Sequence, residues 1–305
     1  MSSSESGAPR NTPFSLDSGD TYLRWRDQKL REYPRDASEL IVEVDDPRRL
    51  TQTELAALRE RCRRSNMAVY ASQMGADPDP EIPLSVGRAF ELEEITENWL
   101  ADSTGITSLK VAKAGVRKKY IPYTTKAINW HTDGYYNAPN RQIRALIMHS
   151  VQDAQSGGEN GLLDHEIAYL LLREKDPAYV EALMRPDAMT IPARFDDAGH
   201  VARPEERGAV FTVTSRGELH MRYTIRAKNV VWASDGETER ARRYLQQLLE
   251  AGSEYAFRLT LASGMGLVSN NVLHDRRAFV DDPDRPRHYY RARYATRLRL
   301  DGESV

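Results

Sequence analysis

From residue 106 onward, β-rich runs only a few residues long alternate with turn residues. "SLKVAKAG", "IRALIMHSV", "AVFTVTS", "ELHMRYTI", "YAFRLTLA" and "GLVSNNVLH" follow one another in this way. Such runs are too short for amphipathic helices and carry the β-branched residues that favour strands. Unpaired strand edges are a liability, so these segments must close into sheets. Two stretches have helical spacing instead, "LLDHEIAYLLLREKDPAYVEALM" and "DGETERARRYLQQLLEAG"; in the second, Tyr244, Leu245, Leu248 and Leu249 form an ordinary apolar face. Short antiparallel strands with helices packed outside specify a mixed α+β chain whose core is a double-stranded β-helix, or jelly roll.

The first hundred residues read differently. "ELIVEV" at 39–44 and "MAVYAS" at 67–72 are strands. Between them Thr51 and Glu54 make a capping box, with Leu50 and Leu55 at staple positions. That helix should end near Ser65 and Asn66, giving a β-α-β start. Prolines mark a loop at 77–83, and a helical stretch is expected through "RAFELEEITENWL". The expected organisation is a structureless leader over 1–20 and a single domain over 21–305. Within it, an αβ flank covers about 37–105 and the jelly-roll core about 106–300.

Charge narrows the function. Lys and Arg total 43 against 45 Asp and Glu, a net charge of −2. So balanced a chain has no global attraction for nucleic acid or anionic lipid. Its one cysteine, Cys62, excludes an intramolecular disulfide and a cysteine-built zinc site, and reads as an inert thiol on a helix surface or partly buried. No apolar run is long enough to span a bilayer, and the first residues lack the pattern of a signal peptide. A cytoplasmic protein acting on a small molecule is expected, with homo-oligomerisation left open.

The chemistry centres on "NWHTDGYYNA" at 128–137. In extended chain, His131 and Asp133 point to one face, because side chains alternate with period two. An imidazole and a carboxylate there offer two adjacent metal ligands. One more histidine would complete the facial triad of non-haem Fe(II) oxygenases. His165 lacks a second histidine four residues on, Tyr169 standing there; His149, His200 and His220 have no ligand-like context; His288 sits in a basic stretch. His274, ending "GLVSNNVLH", is the natural third ligand. Beyond it lie Arg287 and Arg291, with Arg293 nearby, any of which can reach into the barrel from a returning strand. A buried guanidinium needs an anion, and its fork suits a carboxylate.

With "WHTDG", "GGEN" at 157–160, "NNVLHDRRAF" at 270–279 and "RHYYR" at 287–291, the chain resembles the taurine dioxygenase family of Fe(II)/2-oxoglutarate-dependent oxygenases over about 37–299. His274, Arg276 and Phe279 also match an element of its γ-butyrobetaine and clavaminate branch. The resemblance implies His131, Asp133 and His274 as iron ligands. It implies Arg287 as partner of the far carboxylate of 2-oxoglutarate, and Arg291 near the cosubstrate or an anionic group of the prime substrate. Asn160 stands where relatives place a cosubstrate-binding threonine. The implied reaction uses dioxygen and 2-oxoglutarate, releases succinate and carbon dioxide, and hydroxylates a C–H bond. Trp130, Tyr135, Tyr123 and Arg222 are the candidate substrate residues, for a small acidic, amino-acid-like or betaine molecule. A non-catalytic cupin-like binder on the same barrel is the alternative. A nucleic-acid or histone demethylase is disfavoured by the charge balance.

Overall fold

The computed structural model describes residues 12–301 except 93, 97–99, 197 and 227–229. The chain divides into two compact units. The larger holds Pro34–Gly134, Asn140–Asp164 and Tyr255 onward; the smaller takes the residues up to Tyr33, Tyr135–Pro139 and His165–Glu254. The class is mixed α+β.

Ten strands organise the larger unit: β1 (Ile41–Val44), β2 (Met67–Ser72), β3 (Thr107–Lys110), β4 (Ile128–His131), β5 (Ala145–Gln152), β6 (Asn160–Leu163), β7 (Phe257–Leu259), β8 (Met265–Ser269), β9 (Leu273–Arg276) and β10 (His288–Tyr294). Six form one sheet in the order β1-β2-β8-β5-β10-β3, and four form another, β7-β6-β9-β4. Only β1 and β2 run parallel, joined by the helix Gln52–Ser65. That helix starts as expected: the Thr51 hydroxyl accepts from Glu54 N–H and the Glu54 carboxylate accepts from Thr51 N–H. It ends at Asn66, whose φ of 57° is the left-handed stop of a helix C-terminus.

Alternation gives the six-stranded sheet two different faces. Ile147, Val268, Tyr290, Ala292 and Tyr294 pack against Leu55, Leu58, Cys62, Val86 and Phe90 of the helical layer. Cys62 is fully buried there, deeper than expected, and burial pushes its thiol pKa up. Arg291 and Arg293, one step out of phase on β10, point to the opposite face.

The helix expected through "RAFELEEITENWL" lies earlier, at Glu81–Ala89. Glu91 turns left-handed with φ 56°, and residues 94–96 then join the end of β10 through Thr96 N–H to the Arg293 carbonyl and Ala295 N–H to the Glu94 carbonyl. Sheet pairing has overridden local propensity. Gly87 lets this helix approach, since any Cβ there would collide with the Tyr294 ring.

In the smaller unit the first insertion is two helices, His165–Lys175 and Pro177–Met184, broken where Asp176 caps Ala178 ahead of Pro177. "AVFTVTS" and "ELHMRYTI" supply strands that pair with each other, Phe211–Val213 with Leu219–Met221, outside the two large sheets. Residues 1–11 of the expected leader lie outside the described residues. From Thr12 the chain is packed, so a structureless reading does not hold for 12–20. The Arg173 guanidinium takes the carbonyls of Pro13, Ser15 and Leu16, and a helix missed in the sequence begins at Gly19. No helix among the described residues is long and apolar enough to cross a membrane.

Between the sheet and its helices, His149 is fully buried with Nδ1 3.0 Å from the Tyr70 hydroxyl, and burial pushes its pKa down to about 4. Below pH 6.5 the unfolded chain takes up a proton that the folded chain refuses, so stability falls from pH 6.5 to about 4 and then levels. The expected cost of His149 is about 2–3 kcal/mol at pH 4.5. Urea midpoints at pH 7.5 and 4.5 should show a smaller acid loss in His149→Gln than in the parent; an equal loss would mean that another group is responsible.

Candidate metal centre

β4 and β9 pair antiparallel with His131 directly opposite His274, which sets both imidazoles on one face of the four-stranded sheet. Their ring centres are 4.3 Å apart. Each ring is fixed in the same way: His131 Nδ1 donates to the Asn129 carbonyl at 2.8 Å, and His274 Nδ1 to the Val272 carbonyl at 2.9 Å. Using the proton on Nδ1 turns each Nε2 toward Asp133 as the nitrogen that can act as a metal ligand. Burial, then the neighbouring His131, pushes the His274 pKa down to about 4 and keeps that ring neutral near pH 7.

Asp133 follows two residues after His131. Its Oδ1 is 3.5 Å from His131 Nε2 and 3.9 Å from His274 Nε2. One donor atom from each residue lies within 4.8 Å of the other two, the one such group among the described residues. Burial opposes ionisation of Asp133, yet Arg291, His131, Arg293 and His274 together hold its pKa well below the usual carboxylate range. Arg291 Nη1 is 3.1 Å and Arg293 Nη1 4.0 Å from Oδ2.

Asn271, which the sequence did not single out, holds the carboxylate in place. It is buried in left-handed backbone, φ 53°. Its Oδ1 accepts from Asp133 N–H at 2.8 Å, while Nδ2 donates to the carbonyls of Asp133 and Ile143 at 2.9 and 2.7 Å. Buried side-chain amides in "SNNVLH" were its only trace in the sequence.

Further along the same face, Arg276 stands opposite Asn160 across the β9–β6 pair. The Asn160 Nδ2 is buried with no hydrogen-bond partner. Arg276 donates to the carbonyls of Pro122, Thr124 and Lys126, pinning the loop before β4. Arg287, buried, lies 3.7 Å over the Tyr289 ring and shares the Phe279 ring with Arg276. Among the described residues no ion pair joins either guanidinium to a carboxylate, although Asp281 acts on Arg287 through space; burial lowers the pKa of both, that of Arg276 to about 9. Two buried cations and a vacant amide donor suit a carboxylate ligand.

The substrate candidates fare differently. Trp130 faces away from the ligands: it lies under Arg258 and beside Gly161, with the Arg258–Asp275 pair, on the opposite face of the sheet from His131. The alternation that brings His131 inward turns its neighbour outward. Gly161 has no room for a side chain, since a Cβ would come within 2.5 Å of Asp275 Oδ1 and 2.8 Å of the indole. Tyr123 is buried with Arg117 over its ring. Tyr135 and Arg222 belong to the smaller unit. The Arg222 guanidinium donates to the carbonyls of Tyr135, Met189, Gly208 and Glu206 and so braces backbone.

A family model described as Taurine catabolism dioxygenase TauD, TfdA family matches residues 30–293. The chain belongs to that family. Two curated relatives are similar to this TauD/TfdA member, both called uridine-5'-phosphate dioxygenase. One, from an Amycolatopsis species, is 35% identical over 180 residues, 56% of this chain and 62% of the relative. The other, from a Streptomyces species, is 28% identical over 187 residues, 59% of this chain and 66% of the relative. The matched region thus spans just under two thirds of each relative. Among solved structures, the non-heme iron oxygenase OrfP in complex with Fe and alpha-ketoglutaric acid shares the fold at TM-score 0.59 and 18% identity, over 90% of this chain and 95% of that one. An asparagine oxygenase in complex with Fe(II) matches at TM-score 0.57 and 15% identity, over 81% and 78%.

Proposed function

We propose that this TauD/TfdA-family chain is a non-haem Fe(II)/2-oxoglutarate-dependent dioxygenase acting in the cytoplasm on a small anionic substrate. The observation that carries the reading is the convergence of His131 Nε2, His274 Nε2 and Asp133 Oδ1 on one point. The His131 and His274 imidazoles and the ionised Asp133 carboxylate are a donor set that would suit ferrous iron. When bound, iron and 2-oxoglutarate supply the oxidising chemistry: dioxygen converts the cosubstrate to succinate and carbon dioxide, and a substrate C–H bond is hydroxylated. The two facing sheets are read as the double-stranded β-helix of the family.

The chain's own residues bind, orient and exclude water. Arg287 and Asn160 hold the far carboxylate of 2-oxoglutarate, the one a buried guanidinium lying on the Tyr289 ring, the other an unpartnered amide. Arg276 fixes the 122–126 loop over that end and adds positive charge to it. Asn271 holds Asp133 at the height of the two imidazoles. Tyr123 is the one aromatic candidate of the larger unit retained near the substrate.

The names of the curated relatives make a nucleoside 5'-phosphate the leading substrate class. A panel of uridine 5'-phosphate, other phosphate esters, carboxylates, sulfonates and betaines tests the reading through succinate formed with ferrous ion in air. Stimulation by at least one anionic member is expected. A chain that binds neither ferrous ion nor 2-oxoglutarate would instead be the cupin-like binder. Arg287→Met should weaken 2-oxoglutarate binding about ten- to hundredfold, the worth of one charge-assisted contact. Calorimetric titration of the ferrous-loaded protein measures it, and unchanged affinity would remove Arg287 from the cosubstrate site.

A further inference from the structure

We propose that Trp130, Asp275 and Arg258 form a clamp on the outer face of the four-stranded sheet that positions the two imidazoles of the metal centre, an inference resting on the dioxygenase reading above. His131 stands on β4, the edge strand of that sheet, which pairs with β9 alone. The pairing is irregular at this point. His131 lies opposite His274 but Ile128 opposite Arg276, so β4 carries one residue more than β9, and Asn129 and Trp130 together face Asp275. Such a bulge re-aims the side chains beside it and disrupts the ladder locally. The Asn129 carbonyl that orients the His131 ring belongs to this bulge. The geometry of the centre therefore depends on what holds the bulge still.

The chain neighbours of both imidazoles do so from behind. Asp275, Gly161 and Arg258 stand opposite one another across β9, β6 and β7. Over the glycine, Arg258 Nη1 and Nη2 donate to Asp275 Oδ1 and Oδ2 at 2.8 and 2.7 Å, a forked contact that fixes angle as well as distance. Gly161 N–H donates to the same Oδ1 at 2.7 Å. From β4 the buried Trp130 ring reaches past β9 to Gly161, where a Cβ would come within 2.8 Å of it. The Arg258 guanidinium lies over that ring, 5.6 Å from its centre. The edge strand is thus tied to β6 and β7, beyond the one strand its backbone pairs with. Trp130 precedes His131 and Asp275 follows His274, so a shift of either outer residue turns the adjoining imidazole on the other face. All three lie on the face away from the ligands and act as positioning residues.

The test is a titration with Mn(II), free ion being read by electron paramagnetic resonance, of the parent, Arg258→Gln, Asp275→Asn and the double variant. Charge acting through space would move the two single variants in opposite directions, loss of a cation tightening Mn(II) binding and loss of a carboxylate weakening it. The clamp predicts that both weaken it, by about three- to tenfold, less than the roughly ten- to hundredfold of a group that touches a ligand directly. The double variant should bind no more weakly than the weaker single one, since both lose the same contact. Arg258→Lys, which keeps the charge without the fork, should also weaken binding. With Co(II) at saturation, the visible absorption bands, which report ligand geometry, should shift in each variant. Arg258→Gln binding Mn(II) at least as tightly as the parent, additive losses in the double variant, or parental Co(II) bands throughout would overturn the clamp and leave the dioxygenase reading intact. Failure of the parent to bind Mn(II) at all would overturn both.

Discussion

Replacing His274 with alanine is expected to abolish ferrous binding while leaving the metal-free fold in place. His274 Nε2 is one of three donor atoms at the centre, and its partner Nδ1 contact to the Val272 carbonyl is local. Losing an outer-sphere partner of a metal ligand typically costs ten- to a hundredfold in affinity, so losing the ligand itself should exceed about a hundredfold. Succinate formation should fall below detection. The metal-free protein depends less on this residue. His274 is neutral near pH 7 and partly exposed, so its removal costs mainly local packing and the contact to the Val272 carbonyl. Thermal unfolding of metal-free parent and variant should agree to within a few degrees. Parent-like turnover in the variant would remove His274 from the centre.

The second large effect is expected at Asn271. Asn271→Gly keeps the left-handed backbone free of strain but deletes the amide. Asp133 N–H, the Asp133 carbonyl and the Ile143 carbonyl then lose their partners in a buried site. An unpartnered buried polar group costs about 1–3 kcal/mol, and partial relaxation brings the expected loss of stability to about 2–5 kcal/mol. Metal affinity should fall about ten- to a hundredfold as well, because the carboxylate is no longer held at the height of the imidazoles. Measuring both quantities distinguishes a positioning role from a merely structural one. A destabilised variant with parental Mn(II) affinity would show that Asn271 supports the fold alone.

The candidate ligands were legible in the sequence because their logic is local: His131 and Asp133 share a face through two-residue spacing. The run ending at His274, read as one strand, is two, β8 and β9, in different sheets and broken at 270–272, with His274 near the start of the second. The same two-residue rule applied one residue before His131 turns Trp130 outward, away from the substrate side on which it was expected. Asn271 was not legible, since its partner Asp133 lies 138 residues away in sequence. Arg222 was a candidate because its strand-like segment was expected to cross the site, yet its guanidinium donates to four backbone carbonyls. The β-α-β start was read from its capping box. The helix at Glu81–Ala89 was displaced in the sequence reading because its end is set by pairing with β10, a contact that local propensity does not contain.

One titration tests the central claim most directly. Ferrous ion added anaerobically to the parent chain and to His131→Ala, Asp133→Ala and His274→Ala, followed by calorimetry, counts the sites and assigns their ligands. One ion per parent chain is predicted, with the same site lost in all three variants. A full-affinity, one-to-one site surviving in any of them would contradict it.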